Sequence, residues 1–176
     1  MAIPRADIQA DFTAIGIPLM AWRQADLATM ALSGTAGDHF LTLSTEDILL
    51  TGNTPSSSTV TDISRFQFTL PPSYQAGSDI TFRVTAVVNA VADTNTVDLS
   101  AFRVTATSGA VGSDIVATGV QNVTATAQTF DFTITGATLE PGTILNLKLT
   151  TVNNDADGSD GIVSIAYTAL VMNNRG

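Results

Sequence analysis

The chain has 176 residues, no cysteine, a formal net charge of −9 and only seven lysines and arginines. So few cations argue against binding a phosphate backbone, which requires clustered Lys and Arg, and the absence of thiols excludes a disulfide framework or a thiolate metal site. Charged residues are 13% of the sequence, against roughly a quarter in ordinary soluble domains, and 27 threonines take their place, which describes a hydroxyl-rich surface made of strands and suited to being covered by neighbours.

The start, MAIPRADIQADF, carries no basic region followed by a long apolar run, and no stretch approaches the roughly 18 apolar residues that span a bilayer. The expectation is a protein made in a cytoplasm, without a conventional export signal and without a membrane partner. Within residues 1–44 the apolar residues Ile3, Ile8, Phe12, Ile15, Ile17, Leu19, Met20 and Trp22 follow neither a helical nor a strand period for long, and Pro4, Gly16 and Pro18 interrupt them. This segment either closes one end of the domain or is an arm lying on a neighbouring subunit, with Phe12, Ile15, Ile17, Leu19 and Trp22 as its interface residues and Trp22 as anchor. Residues 25–32 read as a short helix and 40–43 as a short strand.

From residue 45 onward the chain is one β-sandwich domain, and it is written twice. FQFTLPPSYQAGSDITFRVT at 66–85 is answered by FDFTITGATLEPGTILNLKLT at 130–150. Phe66 falls on Phe130, Phe68 on Phe132, Leu70 on Ile134, then, after one added residue, Gly77 on Gly142, Ile80 on Leu145, Phe82 on Leu147 and Arg83 on Lys148. Both copies alternate with period two, which makes each a half-buried strand, an exposed Pro/Gly loop and a second half-buried strand. Extending the register gives two halves, 46–106 and 113–172, of four strands each: 46–52, 64–70, 79–88 and 96–106, answered by 113–120, 129–135, 143–152 and 161–172. The predicted fold is all-β, an eight-stranded two-sheet sandwich of jelly-roll type with an irregular N-terminal segment. Residues 53–62 read as a small-polar loop. Strand 96–106 changes phase near Ala101, through a β-bulge or because both of its faces are buried there.

Motifs for chemistry are nearly absent, and the expectation is a non-enzyme without a cofactor. His39, the single histidine, has no Cys or second His to share a metal and would have to build a triad alone; it reads as a loop residue next to Gly37. Glu46 and Asp47 are adjacent, so on a strand they point to opposite faces. Gly109 and Gly112 are spaced as a turn, not as a nucleotide loop. Asp155, Asp157 and Asp160 in NNDADGSDG offer hard oxygen ligands for calcium, yet Ala166 stands where a twelfth-position Glu belongs, and a turn selects the same residues.

With its cysteine-free, Thr- and Val-rich strands, its irregular N-terminal segment and the phrase LPPSYQAGSDITFRV, the chain resembles the β-sandwich decoration or cement proteins on the capsids of tailed bacteriophages. The resemblance covers 46–172 by strand pattern and 66–85 by wording, and implies a homotrimer on the outer surface of a virion, bound to the major capsid protein and without catalysis. The alternative is a carbohydrate- or receptor-binding jelly-roll module of a phage fibre or surface assembly. A sugar site needs exposed aromatic platforms, and outside the strands only Tyr74 and Trp22 are on offer, which favours the structural reading. A cupin-type enzyme would need several histidines inside the barrel, and there is one.

Overall fold

In the computed structural model, residues 11–32, 37–43, 48–55, 58–90, 94–104, 111–154 and 161–174 are described. Among the described residues, twelve strands form two antiparallel sheets packed face to face. They are β1 (Asp11–Gly16), β2 (Arg23–Gln24), β3 (Phe40–Leu43), β4 (Ile48–Thr51), β5 (Thr59–Thr69), β6 (Ile80–Val88), β7 (Asn95–Val104), β8 (Val111–Asp114), β9 (Gln121–Val123), β10 (Gln128–Ile134), β11 (Ile144–Asn154) and β12 (Val163–Asn174). The first sheet runs β10-β6-β12-β4-β3, with β1 on the same edge of β12 as β4; the second runs β2-β5-β11-β7-β8, with β9 beside β8 on the outer edge of β7. The fold is the two-sheet all-β sandwich that the alternation requires, with twelve strands in place of eight. Leu145, Leu147 and Leu149 from β11 meet Ile80, Phe82 and Val84 from β6 in a common core, because in both strands every second residue faces inward.

The duplication is present in the pairing. Exchange β1 for β8, β4 for β9, β5 for β10, β6 for β11 and β7 for β12, and the ladders of one sheet become those of the other. Two details of the sequence alignment are corrected by this exchange. The strand in β4's place is β9, not 113–120, and β8 answers β1, so β1 belongs to the repeat and the insertion is residues 17–47. The ladders also slip by two residues: Phe82 faces Phe132, whereas Leu147 faces Phe66 and not Phe68. A slip of two preserves the inward face, so alternation alone could not detect it.

The turn glycines do match. Gly77 and Gly142 have φ of 78° and 83°, a left-handed conformation that costs glycine nothing. Each is the third residue of the second of two tight turns, Pro71–Tyr74 with Gln75–Ser78 and Gly136–Leu139 with Glu140–Thr143, and each pair of turns plugs a buried side chain, Tyr74 or Leu139, into the end of the core. The two loops clasp each other, Gly77 N–H donating to Leu139 O at 3.0 Å and Gly136 N–H to Asp79 Oδ1 at 2.8 Å. A Cβ on Gly136 would lie 1.8 Å from the Ser78 carbonyl oxygen, so only glycine permits this approach.

Two further expectations differ, and of the two alternatives for the phase change near Ala101 burial of both faces holds along the pairing with β11. Residues 25–32 form no helix: Asp26 Oδ1 accepts Ala28 N–H at 2.9 Å, Leu27 takes a φ of 71°, and the chain reverses so that Thr29 bridges back to Arg23. The loop 53–62 is partly strand, since β5 begins at Thr59 with β-branched residues that support pairing. In β7 no bulge interrupts pairing with β11; Ser100 and Ala101 are buried consecutively, and the register shift lies against β8, between Phe102 and Val104.

Candidate functional site

The N-terminal segment is built into the body. Trp22, proposed above as an interface anchor, is 0% exposed: its Nε1 donates to Thr168 Oγ1 at 3.2 Å, and its ring lies 5.7 Å from Phe66 of the second sheet and 6.0 Å from Phe82 of the first. Ile17 is buried too, with its backbone N–H on Thr168 O at 2.8 Å. Neither side chain can reach a partner, because the hydrophobic gain has already drawn both between the sheets. Ile15 and Leu19 are half-buried against the same core, and of the five only Phe12, 67% exposed, stands in solvent.

His39 is not a loop residue in solvent but 0% exposed, with Nε2 2.9 Å from Thr151 Oγ1 and no hydrogen-bond partner for Nδ1 among the described residues. Burial lowers its pKa to about 3. Around it the inward positions at this end of the sandwich turn polar. Asp62 Oδ2 accepts from Asn53 N–H and from Asn153 Nδ2, each at 2.7 Å, while Asn53 Nδ2 reaches Asp62 Oδ1. Asn153 Oδ1 in turn accepts Val163 N–H at 2.8 Å, and Asn95 Oδ1 accepts Asn154 N–H at 2.9 Å. Burial pushes the Asp62 carboxyl up against these hydrogen bonds. The network satisfies backbone donors where loops enter the sandwich; it is enclosed, and a closed cluster of this kind fixes structure without meeting a substrate.

One open surface with chemistry to offer is the outer face of the first sheet. Val163 and Ile165 of β12 point inward, and unbroken alternation would bury Tyr167 as well. A register shift between Ile165 and Tyr167 changes the phase: Ala166 and Tyr167 are both exposed, and Thr168, Leu170 and Met172 carry on the inward row. Tyr167 is thereby turned out, 44% exposed, beside a groove of about 420 Å³ whose apolar wall includes Pro18, Leu19, Met20 and Ile48. Its cross-strand neighbour Thr85 has its hydroxyl 3.0 Å from that of Thr129. Two residues along β6, Arg83 grips Asp131 of β10 with Nε to Oδ1 at 2.8 Å and Nη2 to Oδ2 at 2.7 Å, and Tyr167 lies within electrostatic reach of this pair. The pairing holds the Asp131 carboxyl below the usual carboxylate range. Both partners are nearly half exposed, so each keeps donors or acceptors turned to solvent in a fixed plane.

Sequence reasoning missed Tyr167 because it sought platforms outside the strands; Tyr74 and Trp22, the two it found, are both buried. The signal lay in VSIAYTALVM, where apolar residues occupy both phases around Ala166. The calcium candidates Asp155, Asp157 and Asp160, like Glu46 and Asp47, lie outside the described residues, among which no three His, Cys, Asp or Glu gather to hold a metal.

No protein-family model matches the sequence, and no curated protein is significantly similar to it. Solved structures are similar in fold. A structure described as "CBM4 structure and function" has a TM-score of 0.50 at 17% identity, covering 85% of this chain and 93% of that one. The xylan-binding module CBM15 has a TM-score of 0.51 at 14% identity, covering 94% and 100%. The CBM22-1–GH10 modules of Clostridium thermocellum xylanase 10B, solved with xylohexaose, have a TM-score of 0.51 at 15% identity, covering 95% of this chain and 29% of that longer one. The sandwich is therefore of the kind found in carbohydrate-binding modules.

Proposed function

We propose that the protein is a non-catalytic binding module that holds a polysaccharide across the outer face of its first sheet. The observation that carries this is the phase-changing bulge in β12, which exposes Tyr167 beside the bidentate Arg83–Asp131 pair and the Thr85 and Thr129 hydroxyls. An exposed ring offers the apolar face of a sugar a surface to stack on, and planar charged groups fixed by each other offer directed hydrogen bonds to its hydroxyls. The fold of the carbohydrate-binding modules named above supports the same reading. In affinity electrophoresis against soluble xylans and β-glucans, the protein should be retarded by at least one of them, and Tyr167→Ala should abolish the retardation without changing the melting temperature. Mobility unaffected by every neutral polysaccharide, or retardation equal in the variant, overturns the reading.

A second reading, a trimeric decoration protein on a virion surface in contact with the major capsid protein, is favoured by a different observation. Of the seven large apolar residues that are exposed among the described residues, Phe12, Met20, Leu27 and Leu32 belong to the N-terminal segment. Light scattering at micromolar concentration decides its assembly part: a trimer that Phe12→Ser and Met20→Ser dissociate supports it, and a stable monomer removes it.

A further inference from the structure

The outer face of the second sheet carries a concentration of charge that the sandwich itself does not use. Arg23 of β2 sits directly opposite Arg65 of β5, and Arg65 directly opposite Lys148 of β11. Three of the protein's seven cations thus form one row across three strands, in a chain of net charge −9. Directly opposed like charges on a sheet repel at separations of about 5 Å, so the row weakens the free protein. None of the three forms an ion pair among the described residues, where the pair between Arg83 and Asp131 is the only one. Asp26 Oδ1 accepts Ala28 N–H, Asp38 Oδ1 accepts Ala25 N–H, and Asp98 attracts Lys148 without forming an ion pair with it.

Arg23 and Arg65 line a second hollow of about 370 Å³ together with Ala25, Leu27, Gln67 and Asn146 among others, and Lys148 stands next to this lining, directly opposite Arg65. Its cations are held in place. Arg65 Nε donates to Ala25 O at 3.1 Å and Arg23 Nη1 to Thr29 Oγ1 at 3.0 Å, which leaves further guanidinium N–H groups of each for a ligand. Gln67 Nε2 donates to Asn146 Oδ1 at 3.0 Å, which fixes two amides beside them, while Leu27, 67% exposed, offers an apolar edge.

We propose that this hollow is a second binding site, for a carboxylate carried on a sugar ring of an acidic polysaccharide. Arg23, Arg65 and Lys148 would neutralise the carboxylate, and the Gln67–Asn146 amides would meet the ring hydroxyls. Carboxylates spaced along a chain suit a short cationic row inside an otherwise acidic surface, whereas a continuous phosphate backbone would meet repulsion on either side of it. The sugar part of this assignment rests on the polysaccharide-binding reading; the anion site does not, and it lies on the opposite sheet from Tyr167.

The test uses polygalacturonate and its fully methyl-esterified form as probes, at low ionic strength, by calorimetry and affinity electrophoresis. The wild-type protein should bind the acid form and not the ester. Combining Arg23→Gln with Lys148→Gln should weaken that binding about tenfold or more, as expected for losing hydrogen bonds to a charged group. Tyr167→Ala should bind polygalacturonate as the wild type does. Lys148→Gln alone, at a position whose side chain forms no ion pair among the described residues, keeps the test open should Arg23→Gln disturb the reversal at residues 23–29. Equal binding of acid and ester, no binding of the acid, or unchanged affinity in the double variant and in Lys148→Gln overturns the site. Binding of neutral xylan without polygalacturonate removes this site and leaves the Tyr167 face standing.

Discussion

His39 stays neutral because its ring is sealed between the sheets, where burial outweighs the contrary pull of the Ile63 backbone, and that neutrality makes stability depend on pH. In the unfolded chain the imidazole takes a proton near pH 6.5, and in the native one only near 3. Between these values the unfolded state binds more protons, so the His39 contribution is fully present above pH 6.5 and is lost as pH falls, at up to about 1.4 kcal/mol per unit. Asp62 acts with the opposite sign, its raised pKa letting the native state take its proton before the unfolded chain does. The two are separated by comparing His39→Gln with the wild type: the stability difference between them should move steadily in the variant's favour from pH 7 to pH 5, and a difference that does not move with pH refutes the assignment. Trp22 sets a second residue-scale test. Because its indole fills the space between Phe66 and Phe82, Trp22→Ala should cost about 3–5 kcal/mol, and removing residues 1–30 should abolish the cooperative melt. A truncated chain that melts like the full one would return the segment to the role of a detachable arm.

Among the elements, what the sequence made legible was whatever period two could carry. Seven of the eight expected strands are β4, β5, β6, β7, β10, β11 and β12, and the short strand at 40–43 is β3; the eighth is represented by β8, which has a different counterpart. β1 and β9 were missed because each pairs with part of one edge of a longer strand, so neither needs a repeated apolar pattern of its own. The polar end of the core was illegible for a related reason: Asp62, Asn153 and Asn95 occupy inward positions through hydrogen bonds made with residues far away in sequence. The same limit applies to the two-residue slip between the halves, and it changes which phenylalanines are equivalent. Phe132 is fully buried opposite Phe82, while Phe68 is half-buried and stacks on Phe66 with ring centres 6.4 Å apart. Phe132→Ala should therefore cost about 3–5 kcal/mol, Phe68→Ala clearly less, and the exposed Gln67→Ala within about 0.5 kcal/mol. Thermal melts of the three variants check the order; equal losses at Phe68 and Phe132 would restore the original alignment.

At the scale of the whole molecule, the exchange that relates the halves has a consequence for folding. Every ladder it involves, β1 with β12, β4 with β12, β6 with β10 and β12, β11 with β5 and β7, and β7 with β8 and β9, joins a strand from before residue 106 to one from after it. Among the described residues of the first half the only ladders are β2 with β5 and β3 with β4, both short, beside the isolated bridges of Arg23 to Thr29 and Asp38 to Ile63. Neither half can therefore bury its apolar face or satisfy its strand edges alone, so the duplication does not mark two independent folding units. A chain whose pairings are so distant in sequence should fold slowly for its size, since loop closure must be paid before long-range contacts form. Fragments 1–106 and 107–176, made separately, should each lack a cooperative melt and the chemical-shift dispersion of a packed core. Mixed in equal amounts, they should assemble into a one-to-one complex that recovers both, because the cut falls between halves that share every long ladder of the two sheets. If either fragment folds by itself, the strands pair within halves and the interleaved topology is wrong; if each is unfolded and the mixture stays so, the covalent link between β7 and β8 contributes more than the ladders that the two halves share.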